Sequence, residues 1–212
     1  MPLWTDEVVP RITDKMLGSA DVAGHREKVA EGLSGEVVEI GFGSGLNVPH
    51  YPDTVTTVFA VDPSLVGRKL SAERVAESSV PVQFVGLDGE SLPLDDASVD
   101  AALSTFTLCT IPDAARAVRE VHRVLRPGGR FHFLEHGLCP EPGIARWQAR
   151  LNPIQRRMCG GCTLDQPIEG LIRDAGFEIT EIHHDQLAGP GFMKPWAYLY
   201  EGVATKPGEP IH

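Results

Sequence analysis

Long apolar runs are missing from this chain of 212 residues, and none approaches the ~20 consecutive apolar positions that a membrane span needs. Met1 to Pro10 carries Asp6 and Glu7 where a secretory leader carries an apolar core, so the expected location is the cytoplasm. Cysteine is scarce. Four thiols without a leader imply free cysteines, not a disulfide framework. Positive charge is in deficit, with 19 Lys and Arg against 29 Asp and Glu, which excludes a dominant nucleic-acid surface. Internal repeats and low-complexity tracts are absent. What is present is 42% apolar residues, enough for one substantial core in one domain.

The stretch Val37-Val38-Glu39-Ile40-Gly41-Phe42-Gly43-Ser44-Gly45 organises the rest. Val37, Val38 and Ile40 suit a buried parallel strand. Glycines at alternate positions then stop it and permit positive φ and close backbone approach to a ligand. Leu46 to His50 is placed to open a helix whose N-terminus faces the same ligand. Dinucleotide folds use G-x-G-x-x-G, whereas here Leu46 takes the third glycine's place. Glu39, two residues before Gly41, repels a pyrophosphate but suits a cationic cofactor such as S-adenosylmethionine (SAM). A tight strand-to-helix turn without a ligand is the plain alternative.

A second strand, Val58 to Asp62, ends in an acid 21 positions after Gly41, the spacing at which a carboxylate reaches ribose hydroxyls. A third, Val82 to Gly86, leads to Asp88-Gly89, placed to meet an adenine edge. A fourth, Val99 to Ser104, brings Thr105 and Leu108 to the carboxyl edge where open α/β sheets bind ligands. Asp113 caps a helix running to Leu125. Pro127-Gly128-Gly129 turns the chain into a fifth strand, Phe131 to Glu135, with His136 at its tip.

This joint pattern over residues 36–136 resembles the class I SAM-dependent methyltransferases. The resemblance implies a Rossmann-like α/β fold, a mixed sheet of seven strands ordered 3-2-1-4-5-7-6 with helices on both faces and the last strand antiparallel. It implies SAM held by Glu39, Gly41, Gly43, Gly45, Asp62, Pro63, Asp88, Gly89, Thr105 and Leu108. A narrower resemblance, over about residues 36–204, is to the methyltransferase-like thiol methyltransferase group. It is carried by Gly45-Leu46-Asn47, His50-Tyr51-Pro52, Val124 to Gly129, Phe133-Leu134-Glu135-His136 and Gly161-Cys162-Thr163-Leu164. Animal members of that group methylate small thiols and carry an N-terminal apolar anchor, a feature from which this chain departs.

Residues 1–35 read as cap helices, 36–204 as the methyltransferase domain and 205–212 as a frayed tail. Val9, Ile12, Met16 and Leu17 mark one amphipathic helix ending near Gly18. Residues 25–33 mark another that exposes His25, Arg26 and Lys28. The pair either covers the substrate side or packs on the sheet, and Trp4 is either a lid residue or packing. Val66 to Ala76, Ile144 to Leu151 and Leu164 to Ala175 read as helices, with strands at Glu178 to His184 and at residues 196–204.

Cys159-Gly160-Gly161-Cys162, with His136 and Cys139, has a spacing close to a zinc ribbon. The expectation is nevertheless no metal: His136 sits at a strand tip, and the two thiols belong to a glycine turn. Cys109 reads as a small buried residue. His183 and His184 point to opposite faces by alternation. His136 is the candidate catalytic base, or else a histidine that positions a loop. The expected partner is a small, largely apolar acceptor ringed by Phe42, Tyr51, Phe106, Leu108, Trp147 and Phe192, with a thiol first and a phenol or hydroxyl second. Nucleic acid and stable membrane insertion are not expected. Phospholipid amines and quinone or polyketide hydroxyls are the alternative acceptors, and a non-catalytic SAM-binding module is the alternative class. The Ser104-Thr105-Phe106-Thr107 stretch lacks the Asn/Asp-Pro-Pro-Tyr/Phe pattern that serves planar amides.

Overall fold

β1 (Gly35–Ile40) lies in the interior of the sheet in the computed structural model, which describes residues 4–208. Its apolar residues are buried on both faces, as a central parallel strand requires. Val38 and Ile40 join the cluster of Val118, Val121, Ile168 and Ile172 on one side. Val37 joins Val29, Ala30 and Leu33 on the other. β2 (Val55–Val61) and β4 (Val99–Thr105) pair in parallel with β1 from either side. β3 (Val82–Gly86) pairs with β2, and β5 (Leu125–His136) with β4, both parallel. β7 (Tyr198–Thr205) inserts antiparallel between β5 and β6 (Glu178–Gln186). The order is β3-β2-β1-β4-β5-β7-β6, as the resemblance implied. The chain runs outward from β1 to β3 and then returns to β4. The carboxyl ends of β1 and β4 therefore flank the switch point where such sheets hold ligands.

The helices cover both faces. α1 (Val9–Leu17) and α2 (Ala20–Ala30) precede β1. α5 (Ala114–Val124) begins where the Asp113 side chain accepts a hydrogen bond from the N–H of Arg116, and it buries Ala117, Val118, Val121 and Val124.

Several expectations are corrected. Leu46 to His50 opens no α-helix: Val48–His50 is one 3₁₀ turn, because Pro49 and Pro52 remove the donors a longer helix needs. The expected helix over 66–76 is split into α3 (Leu65–Leu70) and α4 (Ala72–Glu77) at Ser71, whose hydroxyl bonds back to the Arg68 carbonyl. α6 runs from Pro142 to Met158 and continues through Pro153, while α7 (Ile168–Asp174) begins later than Leu164. Residues expected to open the last strand form a short helix, α8 (Lys194–Ala197). Of the tail, Lys206 is bound to the sheet: its N–H donates to Gly129 and its Nζ to the Leu125 carbonyl. Residues 209–212, where the rest of the frayed tail was expected, lie outside the described residues. Trp4 donates its indole N–H to the Met158 carbonyl, tying the N-terminal segment to the end of α6.

Candidate active site

The glycine turn is built by three positive φ angles, +71° at Gly41, +53° at Gly43 and +73° at Gly45. Gly43 is the one that faces open space, since a Cβ there would have only the Gly41 carbonyl oxygen within 4 Å, at 3.8 Å. Behind it, α3 approaches so closely that a Cβ on Gly67 would lie 2.9 Å from the Gly43 backbone. Sequence reasoning missed Gly67, whose signal was a glycine in the first turn of the helix after β2.

Asp62, just past β2, supports the turn from the side. Its Oδ2 accepts from the N–H of Gly43 at 2.8 Å and its Oδ1 from Ser64 at 2.6 Å. Burial pushes its carboxyl up, and those two N–H groups oppose the shift. A carboxylate offers about four lone-pair sites, so both oxygens can still accept from hydroxyls. Asp62 forms one wall of a 220 Å³ cleft with Ser64, Leu65, Arg68, Phe84 and Gly86. Pro63 and Asp88 are exposed on the neighbouring loops. Asp88 accepts from the N–H of Glu90, and Gly89 lies against Ile40 and Ile111.

Glu39 is fully buried beneath the turn. Tyr51 donates its hydroxyl to it and Asn47 its amide at 3.0 Å. Burial raises the carboxyl to about 7, against these donors and the nearby Arg26 guanidinium. Arg26 was expected to be exposed; it is 4% exposed and turned inward. Its Nη1 donates to Asn47 Oδ1 and to Thr105 Oγ1, both at 2.7 Å, while its Nε is buried without a hydrogen-bond partner among the described residues. Burial lowers its guanidinium to about 10 even with Glu39 and Glu135 nearby. Its polar neighbours His25, Glu27 and Lys28 hid this role in the sequence. His25 is also drawn in, with Glu201 at 2.7 Å, whereas Lys28 keeps its exposure and pairs with the same acid.

The loop after β4 is shaped by Glu135. Its carboxylate accepts from Ser104 Oγ at 2.6 Å and from the N–H groups of Thr107 and Leu108 at 2.9 and 3.2 Å. Burial lifts it to about 7. Phe106 is held at φ +53°, and Thr105 and Leu108 are buried at the switch point.

His136, next to Glu135, points its Nε2 at Cys162 Sγ, 3.3 Å away, and Cys162 Sγ lies 3.4 Å from Cys109 Sγ. The hydrogen bond to Cys109, together with burial, pushes the Cys162 thiol well up. The spacing with Cys139 and Cys159 does not assemble: the group the fold collects is Cys109, His136 and Cys162. Cys139 instead donates its N–H to Gln148. Gln148, also missed from the sequence, is fully buried and donates to the Gly137 and Pro195 carbonyls, tying α6 to the β5 tip and α8. His184 pairs with Glu169 at the surface.

A 750 Å³ cleft lies between α6 and residues 191–196. Its apolar wall includes Ile144, Trp147, Leu151, Phe192 and Trp196, and its charged groups are Arg146, Arg150, Lys194 and Glu141. Of the residues expected around the acceptor, Trp147 and Phe192 meet here. Phe42 packs edge-on against Phe84, Tyr51 is spent on Glu39, Phe106 lies under Arg26, and Leu108 is buried.

These residues fit SAM. The bare Cα of Gly43, the free lone pairs of Asp62 and the buried Glu39 carboxylate offer room, hydroxyl acceptors and a counter-charge for a cation. The unpaired Nε of Arg26 adds a donor for a carboxylate. Bound SAM supplies a methyl group on a sulfonium that leaves as a neutral thioether.

Residues 38–133 match the family described as "Methyltransferase domain". The chain is 33% identical over 162 residues to the human thiol S-methyltransferase TMT1A, covering 73% of itself and 66%, just under two thirds, of that protein. With human thiol S-methyltransferase TMT1B it shares 32% over 181 residues, covering 82% of itself and 73% of the relative. The solved structure of a Thermotoga maritima SAM-dependent methyltransferase, described as a possible histamine N-methyltransferase, shares the fold at a TM-score of 0.68 and 23% identity, covering 97% of this chain and all of that one. Among the described residues no helix is long and apolar enough to cross a membrane. With the strand order, the glycine turn and its acids in place, and a relative matched along most of its length, the chain belongs to the class I S-adenosylmethionine-dependent methyltransferases.

Proposed function

We propose that this protein transfers the methyl group of SAM to a small, largely apolar acceptor through a soft nucleophile, a thiol in the first place. The observation that carries the reading is that the titratable groups at the β5 tip are buried and turned to partners within the protein. Glu135 is engaged by two backbone N–H groups and a hydroxyl, and His136 turns its Nε2 to Cys162 while its Nδ1 is buried without a hydrogen-bond partner among the described residues. Methyl transfer from a sulfonium is an in-line displacement, so alignment and desolvation do most of the work. A thiol is already a few per cent thiolate at neutral pH and needs little proton removal, unlike an alcohol or phenol. The similarity to the human thiol S-methyltransferases TMT1A and TMT1B points the same way.

In this reading Glu39, the turn Gly41 to Gly45, Asp62 and Pro63 hold the cofactor on one side. Asp88, Gly89, Thr105 and Leu108 hold it on the other. His136 stands on the acceptor side, and α2, packed on β5 and β7, sends Arg26 in towards Asn47 and Thr105. The test is label transfer from methyl-labelled SAM to benzyl mercaptan, phenol and benzylamine. S-methylation is the expected product. Turnover of the oxygen or nitrogen acceptor with none of the thiol removes the thiol reading and leaves the methyltransferase class.

A further inference from the structure

Three segments far apart in sequence bring soft donors to one point: Cys109 from the loop after β4, His136 from the tip of β5, and Cys162 from the loop after α6. Their donor atoms all lie within 4.8 Å of one another, and all three residues are buried. Two of the edges, 3.4 Å between the sulfurs and 3.3 Å from Cys162 Sγ to His136 Nε2, lie a few tenths of an ångström inside those of an occupied tetrahedral site. A zinc ion with Zn–S about 2.3 Å and Zn–N about 2.0 Å sets its ligand atoms about 3.5–3.8 Å apart. Two sulfurs and an imidazole are the donor set of zinc and softer cations, not of magnesium or calcium. Among the described residues no fourth His, Cys, Asp or Glu joins the group. Structural zinc sites are closed by four protein ligands, and three with an open position mark a site that binds water or substrate.

We propose that Cys109, His136 and Cys162 bind a zinc-class cation whose open fourth position takes the sulfur of the acceptor. The acceptor role rests on the thiol reading above; the cation site itself does not. The placement is on the acceptor side, because the loop that carries Cys109 begins at Thr105 of the switch point and His136 follows Glu135. The chemistry balances simply. The acceptor thiol gives its proton to solvent on coordination, since a thiol bound to such a cation is deprotonated. A sulfur lone pair then forms the new S–C bond. The bond broken joins the methyl group to the sulfonium, and its electron pair stays on the departing thioether sulfur. The cation does for the acceptor thiol what a general base would otherwise do. The zinc-ribbon pattern read from sequence plays no part, since Cys139 and Cys159 stand outside the group.

Cobalt(II) titration of the reduced, chelator-treated protein tests the site without any turnover. The expected result is about one cobalt per chain, with tetrahedral visible bands and thiolate-to-cobalt charge transfer. The charge-transfer bands should be lost in Cys109→Ser and Cys162→Ser and kept in Cys159→Ser. Zinc should displace the cobalt and raise the melting temperature of the unmodified chain, a measurement that needs no variant to fold. Benzyl mercaptan should shift the charge-transfer bands, and loading zinc should speed its methylation about tenfold or more. Absence of stoichiometric binding by the reduced wild-type chain overturns the proposal. So does a Cys109–Cys162 disulfide as the only state recovered under reducing conditions. Bands that benzyl mercaptan leaves unmoved, with equal thiol turnover by the metal-free protein, overturn the acceptor role while the methyltransferase reading stands. Failure of every thiol in the presence of tight cobalt binding removes the thiol reading instead.

Discussion

The carboxylate of Glu135 accepts the backbone N–H of Thr107 with both of its oxygens, at 3.1 and 2.9 Å. That one contact joins the two halves of the site. Thr107 in turn fills the space in front of Gly41, where a Cβ would lie 1.9 Å from its hydroxyl. Glu135 thus sets the loop that carries Thr105, Leu108 and Cys109, and the loop sets the glycine turn. Glu135→Ala leaves the N–H groups of Thr107 and Leu108 buried without acceptors and should cost about 3 kcal/mol or more. Glu135→Gln should cost much less, because its amide oxygen can serve both N–H groups while its NH₂ faces Ser104. Urea unfolding of the two variants against wild type measures the difference; equal losses contradict the clamp.

Glu39 should make cofactor binding depend on pH. Its carboxyl sits at about 7 in the fold, above its unfolded value, because it is buried. A raised acid adds stability below its unfolded value, and that stability is lost as pH rises through about 7. A cation bound beside it needs the ionised form. SAM affinity should therefore rise between pH 5.5 and 7.5, by up to about tenfold per pH unit below the midpoint. The groups facing Glu39 are Tyr51, Asn47, Arg26 and Asp62. Removing the guanidinium in Arg26→Met should move the midpoint upward, since Arg26 favours the charged carboxylate. Calorimetry across this range reads both effects, and a slope unchanged in Glu39→Gln refutes the assignment.

Asp62 binds the ribose in this account. Asp62→Ala should weaken SAM binding on the order of tenfold or much more, from charge-assisted bonds of roughly 1.5–3 kcal/mol each. Because the same carboxylate supports Gly43, Asp62→Asn is the control that keeps one acceptor oxygen for the turn. Unchanged affinity in a folded Asp62→Ala chain contradicts the role.

The strands and the acids at their tips were legible because periodicity and glycine spacing are local signals, whereas the strand order came from the family resemblance. What was hidden is set by tertiary contact. Arg26 looked like a solvated residue and is buried because Asn47 and Thr105 offer it partners from distant segments. The helix expected after the glycine turn gave way to prolines already visible in the sequence, Pro49 and Pro52. Of the six residues expected around the acceptor, Trp147 and Phe192 share a cleft, whereas Tyr51 is consumed by Glu39 and Phe42 packs on Phe84. The cysteine group was invisible to spacing, since Cys109, His136 and Cys162 meet only when β4 and β5 lie side by side.

The central claim, sulfur as the methyl acceptor, is tested most directly by competition in one vessel. Benzyl mercaptan and phenol are supplied at equal concentration with SAM at pH 7, and the methylated products are separated by mass spectrometry. The account expects the methyl thioether in at least tenfold excess, because the thiol brings its own reactive anion and the site supplies little base. An aryl methyl ether as the dominant product would contradict it.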